Sequence, residues 1–467
     1  MGYNKGMSAR IRIAIVAAKV TSLFIKFLGL GAGATWPGEI ALTLAPNILA
    51  SFAPQFAKGI ILIAGTNGKT TTSLMLTKIL EAQGNRVIHN ASGANLLNGV
   101  VSACIQHASW DGGLNVDYGV FEVDENSLPS VIFNFQFSIF KKEKQLVLVL
   151  LNLFRDQLDR YGEVDVIAEK WEKTLRLAVL AQGTQPVLTL VANADDPGVA
   201  HLTLSLRAKR SNLSLEGIAT PFGLAMTFFG LNEPEEFLKT AEHATDSTFC
   251  LNCGSRLTYE GVYYSHIGIW RCEKCGEKRP KPDIYEWKSP LPGLYNRYNT
   301  LAAVTTALSV GIKKDIIKKA LTDFTPAFGR QEEFMVDGKK VKIFLSKNPA
   351  GFNASLRTVL EMKPKILLIV LNDRIPDGRD VSWIWDVDFE EIAHDKTIKV
   401  FASGDRVYDL GVRLKYAEVS TTGVYGNLRE AMGKALAATE RGETLYVLPT
   451  YSAMLEVRKI LTGRKIL

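Results

Sequence analysis

At 467 residues the chain is too long for one ordinary hydrophobic core, so two or three domains are expected. Hydrophobic residues make up 47% and charged residues 22%, the balance of a soluble globular protein rather than a disordered one. A formal net charge of +7 is mild over this length; it suits anionic small molecules or a membrane surface as well as nucleic acid, and so excludes no partner class.

The first element is an apolar run from Ile11 to Leu30, with Arg10 and Arg12 at its start and Lys19 and Lys26 interrupting it. A cleavable signal would show an unbroken apolar stretch and a small-residue cleavage site. Ile15, Val16, Leu23, Phe24, Phe27 and Leu28 instead fit one broad helical face, which reads as a helix packed on the first domain. A helix resting on a membrane is the alternative. The connection Gly29–Gly38 ends in a Pro-Gly turn signal, and residues 1–58 form an N-terminal helical segment packed on the central domain.

Next comes Ile60–Ala64, an apolar β-type run that stops at Gly65-Thr66-Asn67-Gly68-Lys69-Thr70-Thr71, where a helical pattern begins. Strand, glycine loop and helix in that order form a phosphate cradle. The glycines let backbone N–H groups turn inward, the helix N-terminus adds partial positive charge, Lys69 reaches the terminal phosphates, and Thr70 places its hydroxyl on Mg²⁺. The strict G-x-x-x-x-G-K-[ST] pattern is not met, because Ile63 stands at the first glycine. A bare Gly-Lys-Thr in a βα turn would be structural; the flanking strand and helix favour nucleotide binding.

Strands at Tyr118–Val123, Leu146–Leu151 and Val187–Ala192 alternate with helices such as Thr71–Gln83 and Val164–Leu180, the pattern of a mainly parallel α/β sheet that binds ligands beyond its carboxyl strand ends. Tyr118–Val123 runs into Asp124-Glu125, and Glu122 is favoured over both as a metal or catalytic carboxylate. An N-cap or solvated turn is the structural reading. The following strand leads to the polar stretch Asn152–Gly162, a second candidate lining of the site.

The composition breaks around residues 205–285. Arg207–Asn212 reads as a basic surface loop, and Cys250-x-x-Cys253, eighteen residues, then Cys272-x-x-Cys275 reads as a ribbon at about 246–282. Four thiolates from two tight knuckles give closed, tetrahedral Zn²⁺, a structural site. A redox Cys-x-x-Cys is the rival, and Cys104 reads as buried packing. Cysteines used for metal rather than disulfides imply a reducing cytoplasm. A helical pair spans about Asn296–Leu321, and Asp323–Gly329 reads as a hinge. Lys342–Leu345, Ile366–Leu371, Lys399–Ala402 and Leu445–Leu448 are strands of a second α/β unit. The expected fold is thus α/β: a P-loop-type, mainly parallel central domain at 59–322 with the zinc ribbon inserted, then a Rossmann-like domain at 323–467.

Gly65–Thr71, the Glu122 strand and Asn152–Arg160 together resemble the Mur ligase superfamily, ATP-dependent enzymes that join amines to carboxylates. Gln157 stands where that family's metal-binding His is usual, and Tyr295 replaces another His. Pro292–Asn299 and Gly329–Glu332 resemble the adenine-side and hinge motifs, implying Asn299 and Arg330 at the nucleotide. The ribbon, Leu345–Asn353 and the run Leu371–Asp386 resemble the MurT-type subunits of lipid II isoglutaminyl synthases.

That resemblance implies ATP-dependent amidation of the D-isoglutamate α-carboxylate in the peptidoglycan stem of lipid II, through an acyl phosphate. Ammonia would come from a GatD-type glutamine amidotransferase, whose Cys–His pair is completed by Asp380 or, second, Asp377. ATP, Mg²⁺ held by Thr70 and Glu122, and Zn²⁺ are the implied cofactors. The expected location is the cytoplasm, and peripheral contact with the inner membrane face is compatible with it; no nucleic-acid partner is expected. Two alternatives are a self-sufficient amino-acid ligase of the Mur or folylpolyglutamate type and a non-catalytic, nucleotide-gated zinc-ribbon binding protein.

Overall fold

The computed structural model describes residues 7–27, 35–90, 94–140, 144–156, 164–181, 188–212, 225–240, 242–243, 245–326 and 329–463. Gln157 lies outside them.

Three helices open the described chain: α1 (Ala9–Phe27), α2 (Trp36–Leu44) and α3 (Ile48–Phe52). Ala14, Ile15 and Ala18 of α1 pack into the same core as Ala41, Phe52 and the strand residues Ile60 and Leu62. Ile15 does not share a face with Val16, Leu23, Phe24 and Phe27. It is buried, whereas those four are exposed. Consecutive residues sit about 100° apart around a helix, and the covered side of α1 is a narrow Ala-Ile-Ala stripe.

The central sheet is built from β1 (Phe56–Ala64), β2 (Val87–His89), β3 (Val116–Val123), β4 (Gln145–Leu150), β5 (Leu188–Asn193) and β6 (Ala225–Phe229). Its order is β2-β3-β1-β4-β5-β6, with every neighbouring pair parallel. The crossovers are α4 (Lys69–Ala82), α5 (Leu97–His107), α6 (Leu128–Phe140), α7 (Val164–Ala181) and α8 (Pro197–Asn212). Burial on both faces explains why β1 is a continuous apolar run: Ile60, Leu62 and Ala64 enter one core, Ile61 and Ile63 the other. The chain winds from β1 toward β3 on one side and β4 on the other, so the crevice beyond the β1 end is the topological switch point. The basic segment Arg207–Asn212 continues α8 instead of forming a loop. No Gly or Pro interrupts it, and Arg, Ala and Lys are strong helix formers.

The cysteine ribbon carries an antiparallel hairpin, β7 (Thr258–Tyr264) with β8 (Ile267–Arg271). It docks on residues just past β5. Trp270 Nε1 donates to the Ala194 carbonyl at 3.1 Å, and Arg279 pairs with buried Asp195 at 2.5 Å. Helices α9 (Leu294–Ser309) and α10 (Lys314–Thr322) then pack against α4 in the second core of the central sheet.

The C-terminal unit has strands β9 (Arg330–Val336), β10 (Lys339–Phe344), β11 (Ile366–Val370), β12 (Lys399–Ser403), β13 (Thr421–Tyr425) and β14 (Thr444–Pro449). They run in the order β13-β12-β11-β14-β10-β9, with only β9 antiparallel to its neighbour. Helices α11 (Pro349–Glu361), α12 (Glu390–Ala393), α13 (Val407–Tyr416), α14 (Leu428–Ala438) and α15 (Tyr451–Thr462) complete it. The edge strands β9 and β13 were not apparent in the sequence. Each is half exposed and has too few apolar residues to stand out.

Candidate functional site

Gly68 takes φ +91°, which ends the loop and starts α4 at Lys69. A Cβ there would lie 2.1 Å from Asn299 Oδ1, so the position demands glycine for space as well as for conformation. The loop is held by β4's continuation: Thr66 N–H donates to the Asn152 carbonyl at 3.0 Å, and Asn67 N–H to Asn152 Oδ1 at 2.8 Å. Thr66 Oγ1 donates to the Phe154 carbonyl, and Thr71 is buried and faces the same crevice as Asn67 and Gly68.

Lys69 is buried. Its ammonium donates to the Gly65 carbonyl, to the Thr66 carbonyl at 3.2 Å, and to Glu125 Oε2 at 3.3 Å. Thr70 Oγ1 donates to Glu122 Oε2 at 2.7 Å. Burial pushes the Glu122 carboxyl up, against the Thr70 hydroxyl, Arg330 and Lys69. Glu125 is also buried, which opposes its charge, but Lys69 and Lys347 overcome this and hold its carboxyl below the ordinary value.

The second wall of the site comes from the C-terminal unit. Asn348 caps α11, accepting from Gly351 N–H at 2.8 Å. Its amide also pairs reciprocally with that of Asn67, both contacts 3.1 Å. The adjacent Lys347 forms an ion pair with buried Asp156. Burial works against the Lys347 charge, yet Asp156 and Glu125 hold its ammonium above the ordinary value. Arg155 binds Asp246 at 2.5 Å and Asp386 at 3.2 Å, joining central domain, ribbon approach and C-terminal unit.

Two cavities meet at this seam. One is bordered by Asn67, Gly68, Asn299, Arg330, Tyr264 and Tyr295. Arg330 is enclosed, and burial lowers its guanidinium pKa against Glu122, Tyr295 and Tyr451. The other contains Asp156, Lys347, Asp377, Asp380, Trp383 and Asp386.

The structure separates the two aspartates of the acidic stretch. Asp377 is 3% exposed and accepts from Ser452 N–H at 2.8 Å and from Arg374 N–H at 3.2 Å, so it fastens a turn to α15. Asp380 is exposed and accepts from Ser382 N–H at 2.8 Å, a bond that lowers its carboxyl pKa. The segment Ser382–Asp386 divides likewise. Ile384 is buried, Trp383 packs on Phe352, and Trp385 is 47% exposed with its ring edge-on to Tyr416.

The four cysteines converge: the sulfurs of Cys250, Cys253, Cys272 and Cys275 all lie within 4.8 Å of one another. Each knuckle closes by a glycine N–H bonding the first cysteine's carbonyl, Gly254 to Cys250 at 2.8 Å and Gly276 to Cys272 at 3.0 Å. Both glycines have positive φ, which explains their place after the second cysteine. Four sulfur donors around one point fit a tetrahedral ion of the Zn²⁺ kind. At the glycine loop, a hydroxyl, the carboxylates of Glu122 and Glu125, and the Asp156 Oδ1 acceptor fit a hard cation such as Mg²⁺. That Asp156 oxygen is buried and has no hydrogen-bond partner among the described residues.

Within the stretches Asn152–Gly162 and Leu345–Asn353, nothing local in the sequence distinguishes Asp156 or Lys347 from their neighbours, beyond the place of Lys347 between a strand end and the Asn-Pro start of a helix. Tyr264 carries no signal of its own.

A family model described as Mur ligase middle domain matches residues 63–225, and one described as MurT ligase C-terminal matches residues 345–454. The chain is 32% identical over 406 residues to the Staphylococcus aureus (strain COL) protein named lipid II isoglutaminyl synthase (glutamine-hydrolyzing) subunit MurT, covering 83% of this chain and 84% of that one. The Streptococcus pneumoniae (strain ATCC BAA-255 / R6) protein of the same name is 31% identical over 459 residues, 94% of each chain. Among solved structures, a pseudomurein peptide ligase type C from Methanothermus fervidus superposes with a TM-score of 0.61 at 23% identity. It covers 90% of this chain and 81% of its own, a likeness of fold.

Proposed function

Because the chain belongs to the MurT family of Mur ligases, an ATP-dependent ligase family, we propose that it amidates the α-carboxylate of D-isoglutamate in the peptidoglycan stem of lipid II. The observation that carries this reading is the seam at which Lys69, Glu122 and Glu125 of the central domain meet Lys347 of the C-terminal unit. A carboxylate is a poor electrophile and needs a leaving group. In the proposed reaction, its oxygen attacks the γ-phosphorus of ATP and ADP departs. The lone pair of ammonia then adds to the acyl-phosphate carbon, phosphate leaves with the C–O electrons, and loss of a proton gives the amide. Lys69 and the N–H groups of the glycine loop bind the phosphates. Thr70 and Glu122 would hold Mg²⁺, which supplies charge neutralisation for the transferring group. Asn299, Arg330 and Tyr264 border the nucleotide, and the paired amides of Asn67 and Asn348 couple closure of the C-terminal unit to the loop.

The test is mass spectrometry of a muropeptide substrate incubated with ATP and an ammonia source. Conversion of one carboxylic acid to an amide is expected; addition of an amino-acid residue would overturn the reading in favour of a peptide ligase.

Among the described residues, Cys104 is the cysteine that stands outside the ribbon. Cys104 is fully buried, and burial pushes its thiol far above the ordinary value. A GatD-type amidotransferase is therefore the proposed ammonia source. Asp380, exposed in a recess it shares with Trp385, Arg406 and Asp409, is the aspartate proposed to complete its site. Asp380→Asn should lower glutamine hydrolysis by the reconstituted pair by roughly 10²-fold or more. Amidation from added ammonium chloride should remain. Unchanged glutaminase activity would eliminate Asp380.

The cysteine cluster is proposed to bind Zn²⁺ as a structural ion. Structural zinc sites carry on the order of 10 kcal/mol of apparent binding free energy, so Cys272→Ser should unfold the ribbon. Metal analysis should show zinc lost, and the buried Trp270 should become exposed to a fluorescence quencher. Tyr264 leaves the nucleotide cavity with the hairpin, so the KM for ATP should rise while residues 330–463 keep their fold. Full zinc occupancy in that variant would refute the assignment.

A further inference from the structure

Helix α1 has two apolar faces, and the fold covers only one of them. Ile13, Val16, Val20, Leu23, Phe24 and Phe27 are all exposed, Phe24 by 60% and Phe27 by 87%. Their spacing places them within an arc of roughly 100° on the side opposite Ala14, Ile15 and Ala18. Trp36 at the start of α2 and Trp110 beyond α5 add two exposed indoles. Scattered apolar residues on a surface mean nothing, but a contiguous stripe of this length marks an interaction face.

Charge identifies the occupant. Residues 1–38 contain five Lys and Arg and no Asp or Glu. Arg12 and Lys19 fall along one edge of the stripe by helical spacing, and Lys19 Nζ lies 5.6 Å from the Trp110 ring centroid. A second copy of this face would bring like charges together. An anionic lipid surface supplies the opposite charge, an apolar layer for the stripe, and the interfacial depth that indoles prefer. No helix among the described residues is long and apolar enough to cross a membrane.

The geometry also ties this face to the site. Gly38 N–H, two residues past Trp36, donates to Ser102 Oγ on α5 at 2.8 Å. The loop before α5 accepts from Asp124 N–H through the Asn95 carbonyl at 2.8 Å, next to Glu122 and Glu125. Two hydrogen bonds and α5 thus link the start of α2 to the carboxyl end of β3, where Glu122 and Glu125 sit.

We infer that α1, with Trp36 and Trp110, docks the protein in plane on an anionic phospholipid surface and holds its catalytic edge there. This does not depend on the amidation reading, because binding is measured without substrate.

The test is flotation of the full chain with vesicles of phosphatidylglycerol and phosphatidylcholine, against vesicles of phosphatidylcholine alone. The chain should float with the anionic vesicles. L23E/F24E/F27E should lower the partition coefficient at least tenfold, and R12Q and K19Q about fivefold each at low salt. The near-UV circular dichroism and the amidation of a soluble muropeptide should stay unchanged, and F27E alone serves if the triple variant misfolds. A wild-type chain that stays with the soluble fraction, or equal flotation of wild type and L23E/F24E/F27E, overturns the inference. So does a wild-type dimer in sedimentation that the triple variant abolishes, which would make the face a contact between copies.

Discussion

Lys69→Met should lower kcat for ATP-dependent amidation by roughly 10³-fold, because the ammonium sits inside the glycine loop, on the Gly65 and Thr66 carbonyls. Its bonds, to two loop carbonyls and Glu125, hold it at the mouth of the cradle. The substitution has a second effect. It strips the cation from Glu125, a buried carboxylate, and breaking a buried pair costs about 3–5 kcal/mol. Lys347 also acts on Glu125, which should place the loss at the lower end. The two effects separate in the Lys69→Met/Glu125→Gln double variant. Removing the second charge should restore much of the melting temperature while kcat stays low. Single-turnover formation of ADP reads the chemistry, and thermal denaturation reads the stability. A Lys69→Met enzyme with near wild-type kcat would remove the phosphate-cradle reading altogether.

The parts of this site that can be seen in the sequence are those whose chemistry is local. Gly68 and Lys69 are adjacent, and the strand and helix around them carry their own periodicity. The four cysteines declare themselves by two x-x spacings, and their sulfurs meet within 4.8 Å. Lys347 is different: its partner Asp156 lies 191 residues away, and no periodicity links the two. Only the seam between the domains makes them neighbours. The same limit applies to α1. Spacing shows that Val16, Leu23, Phe24 and Phe27 line up, but not which side of the helix the rest of the chain will cover. Ala14, Ile15 and Ala18 won that side because their small stripe fits closely against α2 and α5. Asp377 and Asp380 are three residues apart and chemically alike. What distinguishes them is Ser452 on α15, which buries one and leaves the other in solvent.

Lys347→Met should reduce kcat by roughly 10²-fold while leaving the KM for ATP within about threefold of wild type. Lys347 borders the cavity with Asp156, Asp377 and Asp380, whereas the nucleotide-side cavity contains Asn299 and Arg330. Its charge is therefore available to the acceptor carboxylate and to the acyl phosphate formed from it. Those oxygens carry most negative charge in the transition state, so loss of the cation should appear in kcat. Arg330→Ala should behave oppositely, raising the KM for ATP first. Lys347→Arg is the discriminating control. It keeps the charge facing Asp156, but the planar guanidinium cannot replace a point charge in a buried setting, so only partial recovery is expected. If Lys347 serves only to join the domains through Asp156, Lys347→Met and Asp156→Asn should lose activity equally, and the double variant no more than either. If it acts on the reacting carboxylate, Asp156→Asn should be the milder change, because Glu125 still faces the ammonium. Steady-state kinetics of the three variants distinguish the two roles.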